Sequence, residues 1–287
     1  MDCTRVYMLA CDHRWQWEEW CDAQGIARDR VAEVKRLVYD GFLRARAASA
    51  DVRTHGALLL DSTYAAGAVA SARAAGISVG TPVEKAGTFP LEWEREPFHK
   101  GLEGNSFVKV LVRYRPEWTA EPKSAQMKKL LELQAWCRHA GTTLLVEIII
   151  MRRTEEEQEF EETGRPALLA GLIRESYAAG LVPQIWKIEA ATTAGGAAVI
   201  DRAIRERLEP RQLILGKGAD TETILRWFAH AAPLQSTAGF AIGRSVFWEP
   251  GTDFLKGTSS ADEATATIAS RYLALVEEWK RREGAVA

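Results

Sequence analysis

Eight short apolar runs recur along the chain, and most are followed by a segment of helical periodicity. The runs are Arg5–Ala10, Ala57–Asp61, Ile77–Val83, Ser106–Val112, Thr142–Ile150, Pro183–Glu189, Gln212–Gly216 and Ala238–Gly243. Each is strand-sized and bounded by polar residues, glycine or proline. Helices are expected at Arg28–Ala48, Tyr64–Ala75, Pro122–His139, Pro166–Ala179, Thr193–Leu208, Thr221–Ala231 and Ala261–Arg282. In the first of these Val31, Val34, Leu37, Val38 and Phe42 share one face. Such alternation predicts parallel strands with helices outside. Eight units in 287 residues predict an α/β fold, a single-domain (β/α)8 TIM barrel over residues 1–287. A doubly wound open sheet is the alternative. It is disfavoured because neither GxGxxG nor a P-loop follows the first strand.

Charge narrows the function class. The formal net charge of −2 argues against general electrostatic binding to nucleic acid or to a membrane surface. No run approaches the roughly 18 apolar residues of a membrane span, and the start of the chain has no basic segment leading into a long apolar one. Cys3, Cys11, Cys21 and Cys137 are scattered without a CxxC pair, which reads as reduced thiols. A cytoplasmic location is therefore expected. The five histidines show no i, i+4 pair and no clustering with carboxylates, so neither a metal nor another cofactor is expected.

The chemistry centres on Pro183-Gln184-Ile185-Trp186-Lys187-Ile188-Glu189. On a strand, Ile185, Lys187 and Glu189 share one face and Trp186 and Ile188 the other. A buried ammonium is costly unless paired or neutralised, and a desolvated lysine is the usual Schiff-base nucleophile. The structural alternative is a strand-end lysine paired with Glu189. Barrel enzymes gather catalytic groups at the C-terminal ends of strands. Here those ends carry Asp12, Asp61, Glu84, Lys109, Glu147, Lys187, Lys217 and Arg244. Glu147, on the neighbouring strand, suits the acid–base work of carbinolamine formation. Lys109 is one strand further round, and a second cation beside an amine favours its neutral form. Asp12 closes the ring from the first strand.

A second signal is anionic. Barrels often hold phosphate on the loops after strands seven and eight. Gly216-Lys217-Gly218 and Gly243-Arg244-Ser245 stand there. Glycine admits backbone N–H groups to an anion, and arginine can bind it through two parallel bonds. Arg14 or Arg113 is expected to hold a carboxylate, and Glu84 is placed with the substrate-binding set. The loop that follows Glu84-Lys85-Ala86-Gly87-Thr88, to about Gly104, is expected to help cover the substrate, and Arg152–Glu162 to be a solvated loop and helix start. Trp15, Trp17 and Trp20 suit a short helix at the mouth or a subunit contact. Asp12-His13 has no GxSxG partner for hydrolysis.

The segments LACDHR (9–14), LLLDSTY (58–64), PVEKAG (82–87), FVKVLVRYRP (107–116), LLVEIII (144–150), WKIE (186–189), LILGKGAD (213–220) and GFAIGRSVFWEP (239–250) resemble a bacterial aldolase family. It is the 2-deoxy-5-keto-gluconate-6-phosphate aldolase domain of inositol catabolism, often fused behind a sugar kinase. More distantly the chain is similar to class I tagatose-bisphosphate and sulfofructose-phosphate aldolases. The resemblance implies a class I aldolase with Lys187 at the Schiff-base position and Glu147 at the acid–base position. Lys109 and Asp12 would flank the reacting carbonyl, with Gly243 and Arg244 in the phosphate turn. It implies a phosphorylated sugar as the small-molecule partner. No kinase half is found here, so the chain is not expected to phosphorylate its own substrate. Related barrels often assemble, which makes a homo-oligomer one expected state. A transaldolase using the same lysine, and a non-catalytic barrel that binds a sugar phosphate, are the alternatives.

Overall fold

In the computed structural model, which describes residues 1–153, 156 and 158–283, the eight runs close into one barrel. Strands β1 (Val6–Cys11), β2 (Gly56–Leu60), β3 (Ser78–Pro82), β4 (Phe107–Tyr114), β5 (Thr143–Ile150), β6 (Ile185–Glu189), β7 (Arg211–Leu215) and β8 (Thr237–Ile242) follow one another around the ring. All pairings are parallel, and β8 closes onto β1. Outside lie α1 (Trp15–Gln24), α2 (Val31–Ala48), α3 (Ala50–His55), α4 (Ala66–Ala74), α5 (Ala120–Ala140), α6 (Arg165–Ala178), α7 (Ala194–Ile204), α8 (Thr221–Ala231), α9 (Arg244–Lys256) and α10 (Ala261–Glu283).

Strand alternation sorts the side chains. Trp186 and Ile188 of β6 pack outward with Val146, Ile148, Ile173 and Ile200, whereas Ile185 belongs to a separate inner cluster. That cluster also contains Met8, Leu59, Phe107, Leu145 and Leu213, and it plugs the barrel below the level of Lys187. Phe107 needs room to do this. A Cβ on Gly80 would lie 2.4 Å from its ring. The pairing register shifts where β7 meets β8. There Gly239 takes φ 146, and a Cβ would lie 2.0 Å from the Val6 carbonyl oxygen, so only glycine fits.

Two helices escape the periodicity. Six-residue α3 is too short to show a period, although Ser49 caps it by accepting the Val52 N–H. Helix α9 carries Pro250 in its interior, where proline normally reads as a stop. Helix α7 ends at Ile204, short of the expected Leu208. Of the charge run Arg152–Glu162, Thr154, Glu155 and Glu157 lie outside the described residues; Arg152 and Arg153 are exposed loop, and helix begins at Gln158.

Asp61 does not join the mouth, contrary to the expectation from its strand-end position. It is fully buried with Lys35 of α2, their Nζ and Oδ2 atoms 2.8 Å apart. Lys35 also donates to the carbonyl oxygens of Cys11 at 2.6 Å and His13 at 2.7 Å. The other Asp61 oxygen accepts the N–H groups of Thr63 and Tyr64. A buried ion pair with its remaining hydrogen bonds filled is tolerable; one partner alone is not. Lys35→Met should therefore lower unfolding free energy by about 3–5 kcal/mol. Adding Asp61→Asn, which keeps an acceptor oxygen, should recover most of that loss. Urea unfolding of the three proteins checks both outcomes.

Candidate active site

A cavity of about 340 Å³ opens at the C-terminal ends of the strands. Its floor is a cluster of five buried charged side chains, Asp12, Glu84, Lys109, Glu147 and Lys187. The Lys109 ammonium donates hydrogen bonds to Glu84 Oε1 at 2.8 Å and Asp12 Oδ2 at 2.9 Å, and lies 3.0 Å from Glu147 Oε2. Lys187 Nζ is 3.0 Å from the same Glu147 oxygen. The parallel pairing of β5 with β6 sets Glu147 level with Lys187, and both residues occupy inward positions. Lys187 does not pair with Glu189, which pairs with Lys217 instead.

Electrostatics divides the cluster. Burial opposes the charge on Lys109, but Asp12, Glu147 and Glu84 outweigh it and hold the ammonium protonated well above the ordinary lysine range. Burial likewise opposes ionisation of Asp12 and Glu147, and the two lysines reverse it, so both carboxyls titrate below their usual range. At Glu84 burial prevails over Lys109, and the carboxyl is pushed up. Lys109 is enclosed by carboxylates. Among the described residues no three histidine, cysteine, aspartate or glutamate side chains are placed to hold a metal ion.

The β7 and β8 ends form a second part of the cavity wall. Gly216, Lys217, Gly218, Gly243 and Arg244 all line it. Lys217 has φ 50 and Gly218 φ 77. Lys217 thus adopts the left-handed conformation that non-glycine residues seldom take, and such strain gathers at functional sites. Arg244 Nη2 donates to the Lys217 carbonyl oxygen at 3.0 Å, which ties the two loops together. A Cβ on Gly243 would lie 1.9 Å from the Ala10 carbonyl oxygen, so the chain can turn into α9 only at glycine.

The remaining expected residues divide. Arg113 reaches the cavity from β4 and donates to Gly87 O at 2.7 Å. Arg14 also lines it, but its guanidinium is taken up by Glu94 at 2.9 Å and the Glu84 carbonyl oxygen at 3.1 Å. Glu84 belongs to the charge cluster, not to the anion-binding wall. The loop after β3 doubles back: Lys85 N–H bonds to Glu92 O and Glu94 N–H to Val83 O. It contributes Thr88 and Leu91 to the cavity, and Phe89 packs on Trp118 with ring centres 3.8 Å apart. Trp15 lines the mouth, whereas Trp17 is fully buried and stacked on Trp248. Ile149 and Met151 also line the cavity. Continuing the inward parity of β5 past Glu147 would have found them. His13, set aside in the sequence for want of a serine, lines it as well.

The family model for "uncharacterized protein conserved in bacteria (DUF2090)" matches residues 1–283, and the chain belongs to that family. No curated protein matches it in sequence. Among solved structures it is similar to fructose-bisphosphate aldolase from Plasmodium falciparum, crystallised with TRAP and a small-molecule inhibitor. The TM-score is 0.70 at 13% identity, over 96% of this chain and 92% of that one. A Schiff-base-forming fructose-1,6-bisphosphate aldolase superposes with TM-score 0.58 at 13% identity, covering 96% and 94%. The fructose-bisphosphate aldolase of Slackia heliotrinireducens gives 0.58 at 12%, covering 93% and 86%. At these identities the likeness is one of fold.

His13 yields a test independent of catalysis. Its ring lies edge-on to Phe247, and its buried Nδ1 has no hydrogen-bond partner. Burial drives its pKa from an ordinary 6.5 to about 3. The unfolded chain therefore takes up a proton that the folded chain refuses, and stability falls as pH drops from 6.5 towards 3. His13→Gln should flatten this acid slope. Urea midpoints measured at several pH values for both proteins check it.

Proposed function

We propose that this member of the DUF2090 family is a class I aldolase, a lyase that cleaves a phosphorylated keto-sugar or keto-sugar acid through an iminium on Lys187. The observation that carries the reading is the unequal surroundings of two buried lysines. Among the described residues Lys109 meets three carboxylates and Lys187 meets Glu147 alone. Lys109 is held as a permanent ammonium. Lys187 has Glu147 as its sole carboxylate neighbour among the described residues, 3.0 Å away and within reach for acid–base work at the nitrogen.

Neutral Lys187 would add to the substrate ketone through a new C–N bond. Glu147 would then deliver a proton to the carbinolamine hydroxyl, and water would leave. The resulting iminium accepts the electron pair released when the C–C bond breaks. Lys109 would stabilise negative charge developing on the neighbouring substrate oxygens. The double turn of Gly216, Lys217, Gly218, Gly243 and Arg244 suits a phosphate, with the first turn of α9 adding backbone N–H groups.

Position in the ring supports a substrate charged at both ends. In an eight-strand barrel closed in sequence order, β4 with Arg113 stands opposite β8, after which Arg244 follows. The ketone would lie between them, beside Lys187. The motif resemblance narrows the substrate to 2-deoxy-5-keto-gluconate 6-phosphate, with dihydroxyacetone phosphate and malonate semialdehyde as products of a cytoplasmic inositol catabolism.

Borohydride treatment with dihydroxyacetone phosphate should fix the triose mass on Lys187, read by peptide mass spectrometry. Lys187→Met should take up no label and lose cleavage altogether. Sugar-phosphate binding without trapping or turnover would leave a binding barrel instead. Arg244→Ala should raise KM for phosphorylated substrate at least tenfold while kcat changes less, the pattern of lost ground-state binding. Coupled assay of triose-phosphate release measures it.

A further inference from the structure

Resting on the aldolase reading, we infer that Glu84 is the base that removes the substrate hydroxyl proton during C–C cleavage, while Glu147 serves the nitrogen chemistry of Lys187. The two carboxylates flank Lys109 from opposite sides, Glu84 two residues past the end of β3 and Glu147 on β5. Glu147 Oε2 has an ammonium 3.0 Å away on each side. It is placed to exchange protons at nitrogen. Glu84 makes no ion pair with Lys187 among the described residues. Its Oε1 accepts from Lys109, and its Oε2 is buried in the cavity wall without a hydrogen-bond partner.

An orphan buried carboxylate oxygen is costly unless a proton or a ligand meets it. Three carboxylates here face two ammonium groups, so one of them is left short of countercharge. Asp12 and Glu147 are the two that the lysines hold ionised. Glu84 is the one on which burial prevails, which makes it the most basic of the three. Its backbone is fixed from both sides. The Glu84 carbonyl oxygen accepts from Arg14, and the residue is bridged to Trp93 in the returning loop.

In the step assigned to it, Glu84 Oε2 takes the proton of the hydroxyl on the carbon β to the iminium carbon. The O–H electron pair becomes the carbonyl of the departing aldehyde. The C–C bond breaks, its pair becomes the C=C bond of the enamine, and the C=N π pair moves onto nitrogen, leaving a neutral enamine on Lys187. The proton on Glu84 can then return to the enamine carbon, which regenerates the iminium for hydrolysis.

Glu84→Gln tests this, because glutamine keeps an acceptor oxygen for Lys109. Two readouts are compared with wild type: borohydride trapping with dihydroxyacetone phosphate, and triose-phosphate release from 2-deoxy-5-keto-gluconate 6-phosphate and from tagatose 1,6-bisphosphate. The variant should trap within twofold of wild type yet lose about 10²–10⁴-fold in kcat for cleavage, with KM little changed and the acid limb of the kcat–pH profile gone. Wild-type cleavage in the variant overturns the inference. So does loss of trapping together with cleavage, which would mean that Glu84 merely holds Lys109. A wild-type protein that does not trap overturns the aldolase reading itself.

Discussion

One ammonium at the centre of the mouth organises the molecule. Lys109 gathers Asp12, Glu84 and Glu147 from β1, β3 and β5 onto a single charge. Without it three buried carboxylates would repel one another, and their neutral forms would be favoured. With it, two stay ionised, and Glu147 is held where it also meets Lys187. The same ion explains why two lysines in one cavity have different chemistry available to them.

That charge needs a firm frame. Below it Phe107, Leu145, Leu59 and Met8 form a packed apolar plug. Beside it, buried cations grip the strand ends from the helical layer. Lys35 holds the carbonyl oxygens on either side of Asp12. Arg165, at the start of α6, does the same for β6, donating to the carbonyl oxygens of Glu189 and Ala190. Each grip converts a loose strand terminus into a fixed mount for the side chain next to it.

Much of this was legible in the sequence. Period-two alternation is a local signal: it puts Lys187 on the face opposite Trp186 and Ile188, and Lys109 on one face with Leu111 and Arg113. Strand order did the rest, because neighbouring inward positions near the same height must meet in a closed barrel. What stayed hidden depends on contacts distant in sequence. Asp61 sits at a strand end like Asp12, yet only the height of Lys35 on α2 decides that it turns away from the mouth. Arg14 looked free until Glu94, on a loop without periodicity, took it up. The partners of Glu84 were hidden for a similar reason: its sequence neighbours say nothing about the three carboxylates and two ammonium groups that meet around Lys109. Helix α9 was missed because Pro250 reads as a breaker, whereas the packed helix accommodates it.

The order of strands around the ring also sets a timetable. Glu84, Lys109, Glu147 and Lys187 arrive on four consecutive strands and can find one another as soon as β6 has emerged from the ribosome. Asp12 is made first but is seated last, since β1 completes its pairing only against β8. Tyr272 of α10 then fastens the seam by donating to the Tyr7 carbonyl oxygen. At about 5–20 residues per second of synthesis, the nascent chain carries an open sheet for on the order of ten seconds or more. A chain halted before its final strand would hold both lysines and display a bare edge on each side. An unpaired strand edge is a template for pairing with another chain, and in this molecule only the β1–β8 pairing removes it.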